Sequence, residues 1–169
     1  KIWRNECGGT KEGLTYWKEG EAWASLGIGH CIWYPESLKG PFEETFPSLI
    51  RFIVQKGGEV PSWLEKCPPC PWKTKEEFDK NKESTKMGEL RSFLYETQEL
   101  QMQFILQRME QAVPLIVRTL SENEKERIES LLRRLLIDPR GVFALIDYVN
   151  CKGIGIKPSE SYKGKGWGL

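Results

Sequence analysis

Gly13-Leu-Thr-Tyr-Trp-Lys-Glu-Gly-Glu-Ala-Trp-Ala-Ser-Leu-Gly-Ile-Gly-His30 carries the strongest structural signal in the chain. Glycines punctuate short alternating runs of aromatic and small residues, and that spacing predicts a small hairpin or meander over residues 13–34. Gly27-Ile28-Gly29 lets a strand backbone pack closely or bend where a bulkier residue would clash. The same stretch gathers two carboxylates (Glu19, Glu21), a hydroxyl (Ser25) and the chain's one histidine (His30), downstream of a further acid, Glu6.

On either side the pattern turns helical. Residues 1–6 read as the tail of a helix, with Ile2 and Trp3 toward a core and Gly8-Gly9 as its stop. Pro35 to Pro41 is a loop. Pro47 suits a first helical position, and Leu49, Ile50, Ile53 and Val54 follow at helical spacing until Gly57-Gly58. Residues 59–73 hold four prolines and the Cys67-Pro-Pro-Cys70 pair, the composition of an ordered, turn-rich crossing. Leu90, Phe93 and Leu94 mark a short helix. Leu100, Phe104, Met109, Val113, Ile116 and Leu120 stripe a long one, in which Pro114 demands a kink or break. Ser121 with Glu124 forms a capping box ahead of an amphipathic run, Ile128, Leu131, Leu132, Leu135 and Leu136. Asp138-Pro139 starts a last helix through Val142, Phe143, Ile146 and Val149, and Gly153–Leu169 reads as a glycine- and lysine-rich loop. The expected class is α+β and predominantly helical, one domain over 1–169. A hairpin lobe and its flanking helices take 1–60, a turn-rich connection 61–85, and a helical lobe with its tail 86–169. A cleft between the lobes suits a polymeric ligand.

Composition narrows the partners. The chain has 169 residues with 25 basic and 24 acidic side chains, so no general electrostatic argument for nucleic acid or an anionic membrane exists. No apolar run approaches the roughly 20 residues of a membrane span. Seven tryptophans, four of them (Trp3, Trp17, Trp23, Trp33) before residue 35, could stack on sugar rings, but filling the core of a small lobe is the favoured role for most. The Cys67 and Cys70 pair and the one histidine, far apart in sequence, make a poor zinc set. No metal or cofactor is expected. Cys67 and Cys70 lack the strand–helix context of a redox pair and read as a loop staple or two inert thiols. One bridge among Cys7, Cys31 and Cys151 would leave one thiol free. The chain begins at Lys1-Ile-Trp without a leader, as a processed chain would, so periplasmic or secreted localisation is expected.

The chemistry points to sugars. A carboxylate on a preceding element and polar groups on a hairpin are what glycoside hydrolysis places on opposite sides of the scissile bond. If residues 21–25 are extended, Glu21, Trp23 and Ser25 share one face, with Ser25 able to hold an attacking water. His30 could shuttle protons, but a lone histidine in a glycine-rich strand reads better as a hydrogen-bonded structural group near the site. Glu19 and Glu21 can equally be ordinary solvated hairpin charges. No nucleophilic triad assembles: Cys31 points away from His30, and Cys7 has no base.

These residues resemble the phage-type lysozymes, in which a glutamate at the end of the first helix precedes a hairpin of pattern aromatic-Lys-Asp-x-x-Gly-x-x-Thr-x-Gly-x-Gly-His. Trp17, Lys18, Gly27, Gly29 and His30 match. Glu19 stands at the Asp position, Ser25 at the Thr position, and Ala22 replaces a glycine. Ser25 to Pro35 is similar to a group of uncharacterised bacterial proteins of the lysozyme-like superfamily. Gly-Trp-Gly-Leu169 is similar to the start of a lytic transglycosylase element. The resemblance implies a lysozyme-like fold and a monomeric enzyme that cuts β-1,4 bonds in peptidoglycan, with Glu6 as general acid. Glu12 is the rival acid, since Glu12-Gly13-Leu14 also resembles a phage triplet; Glu6 needs an insertion relative to the pattern and Glu12 a short deletion. The second carboxylate is Glu19 by resemblance or Glu21 by alternation. His30 and Trp23, and from the tail Asn150 and Trp167, are expected to line the substrate cleft. A non-catalytic glycan- or protein-binding copy of the fold is the alternative, and a redox or helical scaffold the least favoured.

Overall fold

A computed structural model of the protein describes residues 10–40, 42–118, 120–138, 140–142 and 144–145, and the backbone of 161–162 and 165–166. The molecule is α+β, with more helix than strand. Its backbone divides into two units, Lys1–Phe104 and Ile105–Leu169. The expected helix tail at residues 1–6 lies outside the described residues.

In the first unit a single 3-10 turn, Glu12–Leu14, leads into an antiparallel meander of β1 (Thr15–Tyr16), β2 (Ala24–Leu26) and β3 (Cys31–Trp33). Thr15 pairs with Leu26 and Tyr16 with Ser25; Ala24 pairs with Trp33, Ser25 with Ile32 and Leu26 with Cys31. All of β2 is buried, as a central strand should be. The meander is as expected, but its second strand begins only at Ala24. Residues 22–23 bend, so the shared face of Glu21, Trp23 and Ser25 does not form. The cause is the turn at 18–21, where Glu21 N–H donates to the Lys18 carbonyl and Gly20 adopts φ +80°. The Trp17 indole locks that turn by donating to the Glu21 carbonyl at 2.8 Å.

Helix α1 (Phe46–Gln55) carries Pro47 in its first turn, where a missing N–H costs nothing. It buries Phe46, Leu49, Ile50, Phe52 and Ile53 and ends before Gly57-Gly58, with Val54 exposed. Thr45 ties it to the sheet: its N–H donates to the Ile32 carbonyl, and its hydroxyl accepts the Ile32 N–H at 2.9 Å. The turn-rich crossing then returns to the sheet, where Pro35 bridges Cys70 and the Cys70 N–H donates to the Tyr34 carbonyl at 2.8 Å. Helices α2 (Lys75–Lys80), α3 (Thr85–Glu96) and α4 (Gln98–Arg118) follow, with Ser84 capping α3 through the Met87 N–H. Of these, α2 has no counterpart in the apolar pattern of the sequence.

Tryptophan fills this core. Trp33 is fully buried against Phe46 (ring centroids 4.7 Å apart), Trp63 and Trp72; Trp72 meets Phe78 at 5.2 Å, and Phe78 meets Trp17 at 5.7 Å. The Trp33 indole donates to the Pro68 carbonyl, so the polar edge is satisfied where the ring is dry. Cys67 and Cys70 are free thiols, which removes the loop staple and leaves the reading of inert thiols. Burial pushes the Cys70 thiol up to about 12. Cys7 and Cys151 lie outside the described residues.

In the second unit α4 continues to Arg118 with Pro114 inside it, so Leu120, expected on its stripe, falls beyond the helix end. Ser121 opens α5 (Glu122–Ile137), the Glu124 carboxylate accepting from the Ser121 N–H at 3.0 Å and from its hydroxyl. Leu132 is buried, while Leu131, Leu135 and Leu136 of the same expected stripe are exposed. Asp138 caps the next turn, its carboxylate accepting the Arg140 N–H at 2.9 Å, and residues 140–142 and 144–145 are helical. Phe143, Ile146 and Val149 of that expected helix lie outside the described residues. The tail, expected as loop throughout, contains an antiparallel pair, β4 (Ser161–Tyr162) with β5 (Lys165–Gly166). A glycine-rich ribbon without apolar alternation gives no strand signal in the sequence. No helix among the described residues is long and apolar enough to cross a membrane.

Candidate functional site

The turn at residues 27–30 is built from two sides. Gly27 takes φ +72° and His30 φ +48°, and the His30 N–H closes back on the Gly27 carbonyl. The buried carboxamide of Gln101 on α4 holds the turn from below. Its oxygen accepts the Ile28 N–H at 2.9 Å, and its nitrogen donates to the Leu94 carbonyl and the Thr97 hydroxyl. A β-carbon on Gly27 would stand 2.4 Å from that oxygen, so glycine is required for space as well as for its dihedral. The His30 ring stacks on Tyr16, 6.3 Å away at 22°. Neither Gln101 nor Tyr16 stands out in the sequence as a site residue.

The predicted site residues separate. Ser25 is buried on β2, between Tyr16 and Ile32. Trp23 is half-buried, edge-on to Tyr34 and Phe42 with centroids 5.7 and 5.4 Å away, in an aromatic cluster of its own. Glu21 lies half-buried on the same side; burial, with the charges of Glu44 and Glu21, raises the Tyr34 hydroxyl above its ordinary value. Glu19 stands in solvent at the turn tip, its carboxylate 3.5 Å from Lys75 Nζ. Glu6, Asn150 and Trp167 lie outside the described residues.

A groove of about 520 Å³ runs along β1. Glu12, Tyr16, Trp17 and Glu19 form one wall; Lys75, Asp79, Lys82, Glu83 and Arg91, from α2, the turn after it and α3, form the other, with Phe78 between them. Trp17 and Phe78 are buried, whereas Tyr16 is half exposed and gives the groove an aromatic face. Glu21, Trp23, Ser25 and His30 do not line it. Asp79 sits between two ammonium groups: Lys75 donates to it, and Lys82 lies 2.8 Å away. These hydrogen bonds, Lys75 first, hold the Asp79 carboxyl below its usual range; the Asp79 bond, with Glu19 adding, holds Lys75 above its own.

The second wall went unseen because its helix has almost no apolar stripe; only Phe78 of α2 is buried. A signal existed in the caps. Thr74-x-x-Glu77 is a capping box in sequence, and the Thr74 hydroxyl accepts the Glu77 N–H at 3.3 Å. No cluster of three or more histidine, cysteine or acidic side chains suited to a metal occurs among the described residues. Compared with models of protein families, with curated proteins and with solved structures, the chain matches none.

Proposed function

We propose that the protein is an exported bacterial glycosidase of lysozyme type that cleaves β-1,4 bonds in peptidoglycan, by hydrolysis or by lytic transglycosylation. The observation that carries the reading is the groove along β1: the segment bearing the lysozyme-like motif folds as a meander. Its first strand and the turns on either side of it bring two carboxylates, Glu12 and Glu19, and an exposed tyrosine face to one ligand-sized concavity. Glycoside cleavage needs one carboxyl to protonate the leaving oxygen. A second activates water or stabilises the oxocarbenium-like transition state. A general acid works best among apolar groups that keep it protonated. Glu12 and Glu19 both stand in solvent, which speaks against either as the acid; on the resemblance that role is given to Glu6 and the second role to Glu19. Glu21 faces the Tyr34 side and is the weaker partner.

Replacement Glu6→Gln is expected to abolish release of soluble muropeptides from purified cell wall while the melting temperature stays near the parent's. Turnover at the parental rate would remove Glu6 from the acid role. Loss in Glu12→Gln alone would transfer that role to Glu12.

One observation favours the binding-module alternative: Glu19 is 87% exposed and engaged with Lys75, as an ordinary surface charge would be. Saturable binding of cell wall with no new reducing ends after long incubation would select that reading.

A further inference from the structure

The three cations of the groove are not equivalent. Lys75 and Lys82 both answer to Asp79, and Lys75 to Glu19 as well. Arg91 instead donates from Nε to the Thr15 hydroxyl and from Nη1 to the Lys82 carbonyl, each at 2.9 Å. Both acceptors are neutral, and among the described residues no carboxylate meets this guanidinium. Its charge is therefore half-buried, without an ion-pair partner among the described residues, and fixed in direction, anchored at once to β1 and to the turn after α2. Two of its five N–H donors are engaged and three remain.

We propose that Arg91 is the anchor for a carboxylate carried by the saccharide that occupies this groove. A planar guanidinium fork matches the two oxygens of a carboxylate, and a pre-oriented fork loses little entropy on binding. Glu12 and Glu83 line the same groove without a cation partner among the described residues. Their charge repels a dianion such as phosphate more strongly than a carboxylate whose single charge is neutralised on the fork. Tyr16 offers the ring face against which a pyranose can lie. The occupant defined by these groups is an acidic sugar, one whose ring substituent ends in a carboxylate. The sugar identity rests on the glycosidase reading; the carboxylate anchor does not.

The test is a binding titration of the intact protein at fixed ionic strength. The probes are N-acetylmuramic acid, N-acetylglucosamine (which lacks the carboxylate) and inorganic phosphate. The acidic sugar is expected to bind about tenfold more tightly than the neutral one, the worth of one charge-assisted pair, with phosphate a poor competitor. Arg91→Gln should erase the preference and Arg91→Lys restore it only in part, since a point charge replaces the fork. Glu83→Gln, at an exposed position, should leave the fold intact and make phosphate a better competitor. Equal binding of the two sugars by the parent overturns the proposal, as does a folded Arg91→Gln protein that keeps the preference. Should Arg91→Gln not fold, unchanged phosphate competition in Glu83→Gln overturns it instead. A preference for the acidic sugar without muropeptide release leaves this inference standing and removes the glycosidase; turnover without the preference does the reverse.

Discussion

Gly27 and Gln101 are a matched pair, and each fails without the other. The glycine supplies φ +72° and an empty space; the carboxamide fills that space and satisfies the Ile28 N–H. Gly27→Ala should cost about 1–3 kcal/mol from the dihedral alone, and more once Gln101 is pushed off its bonds. Gln101→Leu strands the Ile28 N–H in a buried place, at about 1–3 kcal/mol. The double variant should cost less than the sum, because the carboxamide that the alanine displaces is already gone. Urea unfolding followed by tryptophan fluorescence measures all three, and strict additivity would break the pairing. Cysteine reactivity gives a second residue-level check. Cys70 is buried and its thiol is raised to about 12, so it should resist iodoacetamide at pH 8 until the protein unfolds. Half-buried Cys67 should label before buried Cys70, as read by peptide mapping. Gly27 was legible as a place where a backbone must bend. Its partner lies 74 positions away in a helix, and nothing local marks one glutamine among several as its clamp.

Helix α2 shows where sequence patterns run out. A six-residue helix with one buried side chain has no periodicity to detect, and what holds it is its cap and its charges. Thr74→Ala should cost about 1 kcal/mol and loosen the wall that carries Lys75 and Asp79. The Asp79 carboxyl, held low by Lys75 and Lys82, stabilises the fold above the ordinary aspartate range, and that contribution disappears as pH falls through its depressed folded value. Asp79→Asn should therefore lower stability at neutral pH, where that contribution is fully present, and change little at the acid end, so that the acid limb of stability against pH flattens; an unaltered acid limb would show that the pair does not couple to folding. The meander, α1 and the capped helix α5 were readable because glycines, prolines and caps announce them in the chain. The late start of β2 was not, since the Trp17 indole fixes the preceding turn through a backbone carbonyl, a contact no alternation pattern encodes. Hence Glu21, expected on one strand face with Trp23 and Ser25, lies instead toward the aromatic cluster of Tyr34, while Glu19 stands at the groove.

Taken whole, the molecule carries almost no net charge, +1 at neutral pH with a pI near 7.8. Six of its seven tryptophans fall in the first unit, the one with the meander and the groove, and only Trp167 in the second. On the proposed function, a protein whose 25 basic and 24 acidic side chains nearly cancel would hold its polymer through short-range contacts in the groove, and that has a measurable consequence. A protein that holds a polyanion by releasing counterions loses about 10³–10⁵ in affinity between 50 and 200 mM salt. On the proposal made above, the attraction is one fixed guanidinium and a ring face, both inside a Debye length of about 10 Å, so long-range steering contributes little. Binding of insoluble cell wall by the Glu6→Gln protein should weaken by less than about tenfold over that salt range, allowing roughly one counterion for the Arg91 contact. Depletion of the protein from solution by sedimented wall measures it. A loss of a hundredfold or more would mean that the wall's polyanionic decoration, and not a saccharide seated in the groove, is what this surface recognises.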